Sequence, residues 1–293
     1  MYYRKTVGEK IGFTILYIVL ILCSLIFAYP FYYLLVNSFN GMVEVNPSYL
    51  FPLSSLTVAN YTTIFTDLSI VNACIVSVAR TLIGTVVTVF NSAMCAYALR
   101  KRNICMRNFY LMLFTVPGFF GGGLIPGYLN FRQLGLLNNF LIYILPHAFG
   151  FFYVIIFMSN FNSLPGALED AATIDGAGYF TVFFRIFIPV SLPSLATIAL
   201  FCGVGQWDSW FDSLFYTTDP KLMTLAAYLM KVVRNADLSS YSQQIAHDVE
   251  RSASTSLGIQ FATMVVATVP ITLIYPFLQK YFVKGLTIGS VKE

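Results

Sequence analysis

The feature that most constrains the fold is a set of long stretches without Asp, Glu, Lys or Arg. About 20 apolar residues in an α-helix cross the ~30 Å hydrocarbon core of a bilayer, so each stretch can hold one spanning helix. Five such stretches contain 22 to 36 residues each and lie at 11–43, 108–131, 133–168, 186–207 and 252–279.

A sixth apolar stretch, 68–99, is interrupted only by Arg80. The uncharged stretch 45–66 is not interpreted as a span, because its prolines, asparagines and many Ser and Thr residues make a poor apolar helix. Lipid has no water to satisfy the backbone groups that such residues leave free. We therefore predict six transmembrane helices, at about 11–36, 70–99, 108–130, 140–160, 190–211 and 257–281.

Composition supports this interpretation. Only 10% of the 293 residues are charged, whereas soluble domains carry about 25%. This excludes a soluble enzyme, a disordered chain and, despite a net charge of +4, a nucleic-acid-binding protein. The five Cys form no C-x-x-C pair, so neither a disulfide framework nor a zinc site is predicted. We predict an all-α integral membrane protein.

Lys and Arg set the expected orientation. With a cytoplasmic N-terminus, the inner segments hold eleven of these residues, including the cluster Arg100–Lys101–Arg102, and the outer segments hold five. The positive-inside rule then places both termini in the cytoplasm. The basic start is followed by a run too long for a signal peptide, so it is expected to be a retained first helix. No internal repeat is evident, which disfavours a secondary transporter built from two similar halves.

The inner segment 161–189 is the most informative part of the chain. Pro165 suits the first turn of a helix, and Glu169 and Asp170 lie near enough to that end to favour the helix dipole. Gly176 offers a left-handed stop, and a second short helix is expected at about 178–187. The result is a cytoplasmic helix–turn–helix with an acidic and small-residue surface, which suits either a partner docking site or an ordinary loop on the membrane surface.

This segment resembles the EAA loop of importer-type ABC permeases, whose pattern is E-A-A, three residues, G, nine residues and I-x-L-P. Asp170-Ala171-Ala172, Gly176 and Ile186-Phe187-Ile188-Pro189 match at every spacing, with Asp170 replacing Glu and Ile188 replacing Leu. In that family the loop forms the coupling helices that sit in a cleft of the ATPase. The resemblance implies coupling (EAA) helices between helices 4 and 5, with ATPase-coupling residues Glu169, Asp170, Ala171, Ala172, Asp175 and Gly176.

The resemblance runs from about residue 10 to the C-terminus and is closest to the maltose-type second permease of the carbohydrate-uptake branch. Within that branch the chain is similar to permeases for complex oligosaccharides, alginate and other polysaccharides. The supporting motifs are Ala96-Tyr97-Ala98-Leu99 with Arg100-Lys101, Gly121-Gly122-Gly123-Leu124-Ile125-Pro126, the segment 206–212 and the tail 282–289.

The family pattern implies a cytoplasmic N-terminus at 1–10, a single transmembrane domain at 11–282 and a cytoplasmic tail at 283–293. It also implies a second permease subunit, an ABC ATPase dimer that binds ATP and Mg²⁺, and an extracytoplasmic binding protein for an oligosaccharide. The chain has no G-x-x-x-x-G-K-[ST] motif for ATP phosphates, and it has no H-E-x-x-H or G-x-S-x-G. It is therefore expected to be a transport subunit without a cofactor or a catalytic residue of its own.

Arg80 is placed near the middle of the bilayer, where a charge normally faces protein or water. It either lines a cavity and binds a sugar hydroxyl or carboxylate, or it pairs with an acid from another helix. Asp208 or an acid of a partner subunit is the expected partner. His147 is expected to pack within helix four, without a catalytic role.

A polar and aromatic cluster at the end of helix five is the second candidate part of a substrate pathway. It comprises Gln206, Trp207, Asp208 and Trp210, a mixture that suits stacking on sugar rings and bonding to their hydroxyls. The two Trp residues are three apart and are expected to share a helix face. An interfacial aromatic belt is the alternative interpretation.

Helix three is expected to kink or unwind, because Gly121-Gly122-Gly123 with Pro117 and Pro126 cannot form a straight lipid-facing helix. Two rival functions stay open at this point. One is a permease of the same architecture for another solute, such as an amino acid or a peptide. The other is a secondary transporter or channel that works alone, against which the EAA pattern argues.

Overall fold

The computed structural model describes residues 6–40, 56–101, 103–243 and 253–290. Within these ranges the β-type pairing is limited to an isolated bridge between Asn40 and Leu56. All other regular structure there is helical, so the predicted all-α class is confirmed.

Several of the helices break in the middle of an apolar stretch. In chain order they are α1 (Val7–Ser38), α2 (Ala59–Thr66), α3 (Leu68–Arg100), α4 (Arg107–Phe119), α5 (Leu124–Gln133), the 3₁₀ turns Phe140–Tyr143 and Leu145–His147, α6 (Phe151–Ser163), α7 (Gly166–Ile174), α8 (Tyr179–Val182), a π turn (Phe183–Phe187), α9 (Ile188–Val190), α10 (Leu192–Asp208), α11 (Phe211–Tyr216), the 3₁₀ turn Pro220–Leu222, α12 (Leu225–Gln243) and α13 (Ala253–Ser290).

Two compact units divide the chain, with boundaries after residues 67, 231 and 268. In the first unit, the buried amide of Asn60 donates to the carbonyls of Ser38 and Asn40, both at 3.0 Å. A Cβ at Gly258 would lie only 2.6 Å from Nδ2 of Asn60, so α13 approaches that amide closely because residue 258 is Gly. The two hydrogen bonds from Asn60 satisfy backbone carbonyls at and just beyond the end of α1.

Helix α1 begins with a capping box, in which Thr6 and Glu9 exchange side-chain and backbone hydrogen bonds. Its most apolar 18-residue window has no side chain buried within the chain. A helix that exposes apolar side chains on every face is stable in lipid or against another apolar surface. This placement agrees with a first membrane-spanning helix.

The core of the second unit forms where α3 meets α6, α10 and the π turn. Small side chains on α3, such as Ala93 and Ala96, leave room for the buried rings of Phe157 and Phe161. The ring of Tyr97 packs against two rings of the π turn. Its centroid lies 5.3 Å from that of Phe183 and 4.9 Å from that of Phe187. The core therefore joins the end of α3 to the segment that follows α7.

The predicted glycine-rich break in the third span, 108–130, is confirmed. Helices α4 and α5 meet at an angle of 120° across residues 120–123. Gly123 adopts φ +82° and ψ 167°, a conformation that residues with a side chain rarely adopt.

The prediction of one continuous fourth helix at 140–160 is wrong. The chain forms two 3₁₀ turns before α6, and the two parts meet at 45°. The predicted fifth helix, 190–211, is also too long, because α10 ends at Asp208 and Ser209 has an extended backbone.

In the part of the chain that the structure describes, three single helices are long and apolar enough to cross a membrane. Three bent helix pairs also meet that criterion, which makes six segments if each pair is one span. The number of spans and the side of each terminus stay predictions.

Gly123→Ala should destabilise the protein, because a β-carbon disfavours the backbone conformation of residue 123. The expected cost is about 1–3 kcal/mol, visible as a lower midpoint of thermal unfolding of the purified protein in detergent. Gly122→Ala is the matched control, since residue 122 has no positive φ and its added β-carbon would meet nothing within 4 Å. Equal midpoints for the two variants would contradict this account of the break.

Candidate functional site

A buried guanidinium lies at the centre of the candidate site. Arg80, on α3, is 1% exposed. Its Nε donates to Oε1 of Gln206 at 2.9 Å, and its Nη1 donates to the carbonyl of Ser209 at 3.0 Å. Its Nη2 donates to Oδ2 of Asp212, with which it forms an ion pair. Three nitrogens of the buried charge are thus bonded to groups on α10, on α11 and in the turn between them.

His147 and Tyr143 complete this arrangement. Nε2 of His147 lies 3.0 Å from Oδ2 of Asp212, and Cζ of Arg80 lies 4.8 Å from the ring centroid of Tyr143. The side chain of His147 is 44% exposed, so it has one edge against Asp212 and another that is open. We name Arg80, Tyr143, His147, Gln206 and Asp212 the Arg80 network.

Of the two interpretations of Arg80, the one in which it pairs with an acid of another helix is confirmed, but the acid is Asp212 and the candidate Asp208 is wrong. Helix α10 ends at Asp208, whose side chain is exposed. The extended residue Ser209 then redirects the chain, and α11 places Asp212 against α3. Four residues and a change of direction therefore separate the predicted partner from the observed one.

Close packing of α3 against α10 depends on a glycine. A Cβ at Gly84 would lie 2.8 Å from Nε2 of Gln206, well inside van der Waals contact. Gly84 is one helical turn from Arg80, on the same face of α3. The absence of a side chain there leaves space for Gln206 to reach the guanidinium.

The same face of α3 stabilises the break before α6. The hydroxyl of Thr88 donates to the carbonyl of His147 at 2.6 Å, and the amide of Asn91 donates to the carbonyl of Ala148 at 3.2 Å. The backbone N–H of Gly150 donates to Oγ of Ser92 at 3.2 Å. These bonds satisfy backbone groups that the broken helix leaves free, and they fix the position of His147.

A cavity of about 230 Å³ opens beside this network. It has both polar and aromatic walls, formed by Arg80, Thr88, His147, Phe149, Gly150, Tyr153, Cys202, Gly205, Gln206 and Ser209. The structure thus brings together two of the predicted pathway residues, Arg80 and Gln206.

The other three predicted pathway residues do not line this cavity. Trp207 is half-buried near the end of α10, Asp208 is exposed, and the ring of Trp210 lies 5.9 Å from that of Phe211. The expectation that the two Trp residues share a helix face is wrong, because Trp210 follows the end of α10.

Sequence reasoning missed His147 and Asp212 as members of one cluster. They are 65 residues apart, and although Asp212 ends the motif 206–212, no motif links that segment to His147. The available signal was the position of His147 within a long apolar stretch, since an ionisable residue at membrane depth usually has a partner and a function.

The coupling segment has the predicted helix–turn–helix form. Helix α7 ends in a Schellman motif: the N–H of Gly176 donates to the carbonyl of Thr173, and that of Ala177 donates to the carbonyl of Ala172. Gly176 has φ +79°, so the predicted left-handed stop is confirmed. The second predicted short helix corresponds to α8, the π turn and α9, which meet α10 at 82°.

The two neighbouring carboxylates of α7 have different environments. Glu169 accepts from Arg100, and its Oε1 lies 3.2 Å from Nζ of Lys101. Burial raises the pKa of the Glu169 carboxyl, but the hydrogen bonds from both cations outweigh that effect and hold the pKa below its usual range. The ion pairs of Glu169 therefore stabilise the fold fully above the unfolded-state pKa of its carboxyl. This stabilisation is lost as pH falls through the lowered folded-state pKa. Asp170, in contrast, is exposed.

The remaining predicted coupling residues also differ in exposure. Ala171, Asp175 and Gly176 are exposed, whereas Ala172 is half-buried against the core of the second unit. Ile174, next to them, is 87% exposed. The free surface of α7 is thus acidic, small and apolar, and Ala172 faces its own chain.

Residues 88–288 match the family described as the inner membrane component of binding-protein-dependent transport systems. The chain belongs to this family. The resemblance to importer-type ABC permeases is thereby confirmed.

Relatives of this permease match nearly the whole chain. Protein LplC of Bacillus subtilis (strain 168) is 38% identical over 265 residues, which cover 90% of this chain and 88% of the relative. The polygalacturonan/rhamnogalacturonan transport system permease protein YtcP of the same organism is 34% identical over 279 residues, covering 95% and 97%.

A solved structure of a bacterial ABC transporter, involved in the import of the acidic polysaccharide alginate, contains a similar chain. The two chains align with a TM-score of 0.84 at 25% identity, covering 96% of this permease and 99% of that chain. This permease is therefore a multi-pass protein of the bacterial plasma membrane and a transport subunit, not an enzyme.

Asp212→Asn should destabilise this permease, because it removes the only carboxylate bonded to Arg80 among the described residues. Breaking one side of a buried ion pair costs on the order of 3 kcal/mol, and we expect a lower thermal unfolding midpoint in detergent. Asp208→Asn is the matched control, since its exposed carboxylate does not contact Arg80. A similar midpoint for both variants would show that the ion pair is not what stabilises this region.

Proposed function

We propose that this permease is one of two transmembrane subunits of an ABC importer for oligosaccharides or polysaccharide fragments. ATP hydrolysis in a partner ATPase would be coupled to movement of the sugar. The substrate class is supported by the polygalacturonan/rhamnogalacturonan permease and by the alginate transporter chain, both similar along nearly their whole length.

The complete importer would contain a second permease subunit, an ATPase dimer that binds ATP and Mg²⁺, and an extracytoplasmic binding protein. The proposed topology has six spans with both termini in the cytoplasm, and the excess of Lys and Arg on that side supports it. In this topology α7 lies at the cytoplasmic surface, where the ATPase is available.

The observation that carries this proposal is the shape of the coupling segment. The exposed residues Asp170, Ala171, Ile174, Asp175 and Gly176 form one surface on α7 and the turn that follows. Small side chains let a partner backbone approach closely, and Ile174 offers apolar area for burial. The carboxylates favour a basic cleft. Ala172 would support this surface from within the chain.

Ala171→Arg should prevent the ATPase from remaining bound during purification of the importer, because a long charged side chain would hold the two surfaces apart. Ala171→Ser is the matched control, since it stays small and should retain the ATPase. The measurement is the ratio of ATPase to permease after affinity purification from membranes. If Ala171→Arg retained both the ATPase and ATP-dependent uptake, the docking surface would lie elsewhere.

We also propose that the cavity beside the Arg80 network belongs to the sugar pathway. Because each guanidinium nitrogen of Arg80 already donates to its own chain, Arg80 would shape and polarise the wall. The open edge of His147 and the amide of Gln206 are better placed to bond a hydroxyl. Trp207, Asp208 and Trp210 are proposed to continue the pathway next to this cavity, with Trp207 as a stacking surface.

Trp207→Ala should lower the apparent affinity of uptake about tenfold, the loss expected from one stacking face of about 1–2 kcal/mol. Trp207→Phe keeps an aromatic face and should lose less. Uptake must be divided by the amount of assembled importer, because an aromatic residue of the interfacial belt would change assembly instead. Normal uptake per assembled importer with Trp207→Ala would remove Trp207 from the pathway.

A further inference from the structure

Helix α3 connects the two candidate regions without a break. It carries Arg80 in its first half and ends at Arg100, and it contains no proline. Twenty residues of α-helix at 1.5 Å per residue place these two positions roughly 30 Å apart. A single regular helix is stiff, so a displacement at one end is passed to the other.

Two cations at the end of α3 contact the coupling segment on both sides of its turn, at α7 and at the helical residues 179–187. Arg100 pairs with Glu169 on α7, and its Cζ lies 4.8 Å from the ring centroid of Phe187 in the π turn. Lys101 also pairs with Glu169, and its Nζ lies 3.4 Å from the ring centroid of Tyr179 on α8. The end of α3 is therefore fixed between α7 and the helical residues that follow the turn.

Glu169 has little capacity left for a partner protein. Each of its carboxylate oxygens is bonded to a cation of its own chain, and its side chain is only 18% exposed. The adjacent Asp170 is exposed and occupies the acidic position of the E-A-A pattern. Neighbouring carboxylates on one helix thus face opposite environments.

We propose that Arg100, Lys101 and Glu169 form a joint that fixes the coupling helix α7 to α3. Glu169 is a positioning residue of this joint, and it does not contact the ATPase. The proposal rests on the docking of the ATPase against α7. In this proposal α3 transmits movement between the ATPase and the Arg80 network.

The joint is needed because the rest of the attachment of α7 is weak. Helix α7 has nine residues, its free surface is exposed, and it lies between Pro165 and the positive-φ residue Gly176. Without the ion pairs, Ala172 packing against the core would be the main remaining side-chain contact of α7 with its own chain. The helix could then move with the ATPase while α3 stayed in place.

Hydrogen–deuterium exchange on the assembled importer tests this directly. Glu169→Gln should speed exchange of the backbone amides of 166–178 about two- to fivefold, the range expected for one partly exposed ion pair. The charge swap, Glu169→Arg with Arg100→Glu and Lys101→Glu, should restore slow exchange because it reverses every charge of the joint. Glu169→Arg alone should not restore it. Arg185→Gln is the matched control, because it also removes one charge from the coupling segment and the exposed Arg185 belongs to neither the joint nor the docking surface.

Transmission is measured by adding the non-hydrolysable ATP analogue AMP-PNP with Mg²⁺. In the unmodified importer this should change exchange at 206–212, and Glu169→Gln should abolish that change while the ATPase stays bound. Restoration by the charge swap would separate a positioning role from general destabilisation. An unaltered response in Glu169→Gln, or no response in the unmodified importer, would overturn the joint.

A third result distinguishes this proposal from the docking proposal on which it rests. If Glu169→Gln lost the ATPase during purification and the charge swap did not restore it, Glu169 would contact the ATPase and the joint would be wrong. The docking surface would still stand in that case, because it is tested by Ala171→Arg.

Discussion

The burial of one guanidinium in an apolar helix determines much of the second unit. A charge at this depth is tolerated only when its N–H groups find acceptors and a counter-ion. Arg80 finds them on α10, in the turn after it and on α11, so these elements must turn back toward α3. The early end of α10, the short helix α11 and the glycine at position 84 all serve this one requirement.

The backbone breaks follow a second requirement of the bilayer, since a carbonyl or N–H freed from a helix must bond to protein. The break before α6 lies against Thr88, Asn91 and Ser92, which supply two donors and one acceptor. Helix α3 therefore combines an apolar surface with a polar face that replaces water. An irregular segment near a cavity is tolerated at this depth because a neighbouring helix satisfies it.

Sequence reasoning succeeded where the signal is local. Charge-free stretches located the apolar helices, Gly176 marked the end of α7, and the three glycines marked the break between α4 and α5. It failed where tertiary packing decides. Asp208 and Asp212 have the same charge and differ by four positions, and only the end of α10 determines which one reaches Arg80.

The coupling segment shows the same limit. From the sequence, Glu169 and Asp170 are two adjacent carboxylates near the start of a helix, and either suits an ATPase contact. A rotation of 100° per residue separates their directions, and only the position of α3 shows that Glu169 faces its own chain. Ala172 likewise belongs to the small-residue motif and yet packs inward.

The π turn has a consequence for chain length in this region. A π turn contains one residue more than the α-helical turn it replaces, so it changes the angular register of what precedes it by about 100° relative to α10. Substitution of an exposed side chain between Gly176 and Ile186 would keep the backbone path, whereas Val182 and Phe183 are buried in the core of the second unit. Insertion or deletion of a single residue within the helical segment 179–190 would instead rotate what precedes it, α7 included, by about 100° around the axis of that segment and carry Glu169 away from Arg100. The nine residues between Gly176 and Ile186 thus fix the angle at which α7 presents Glu169 to the end of α3.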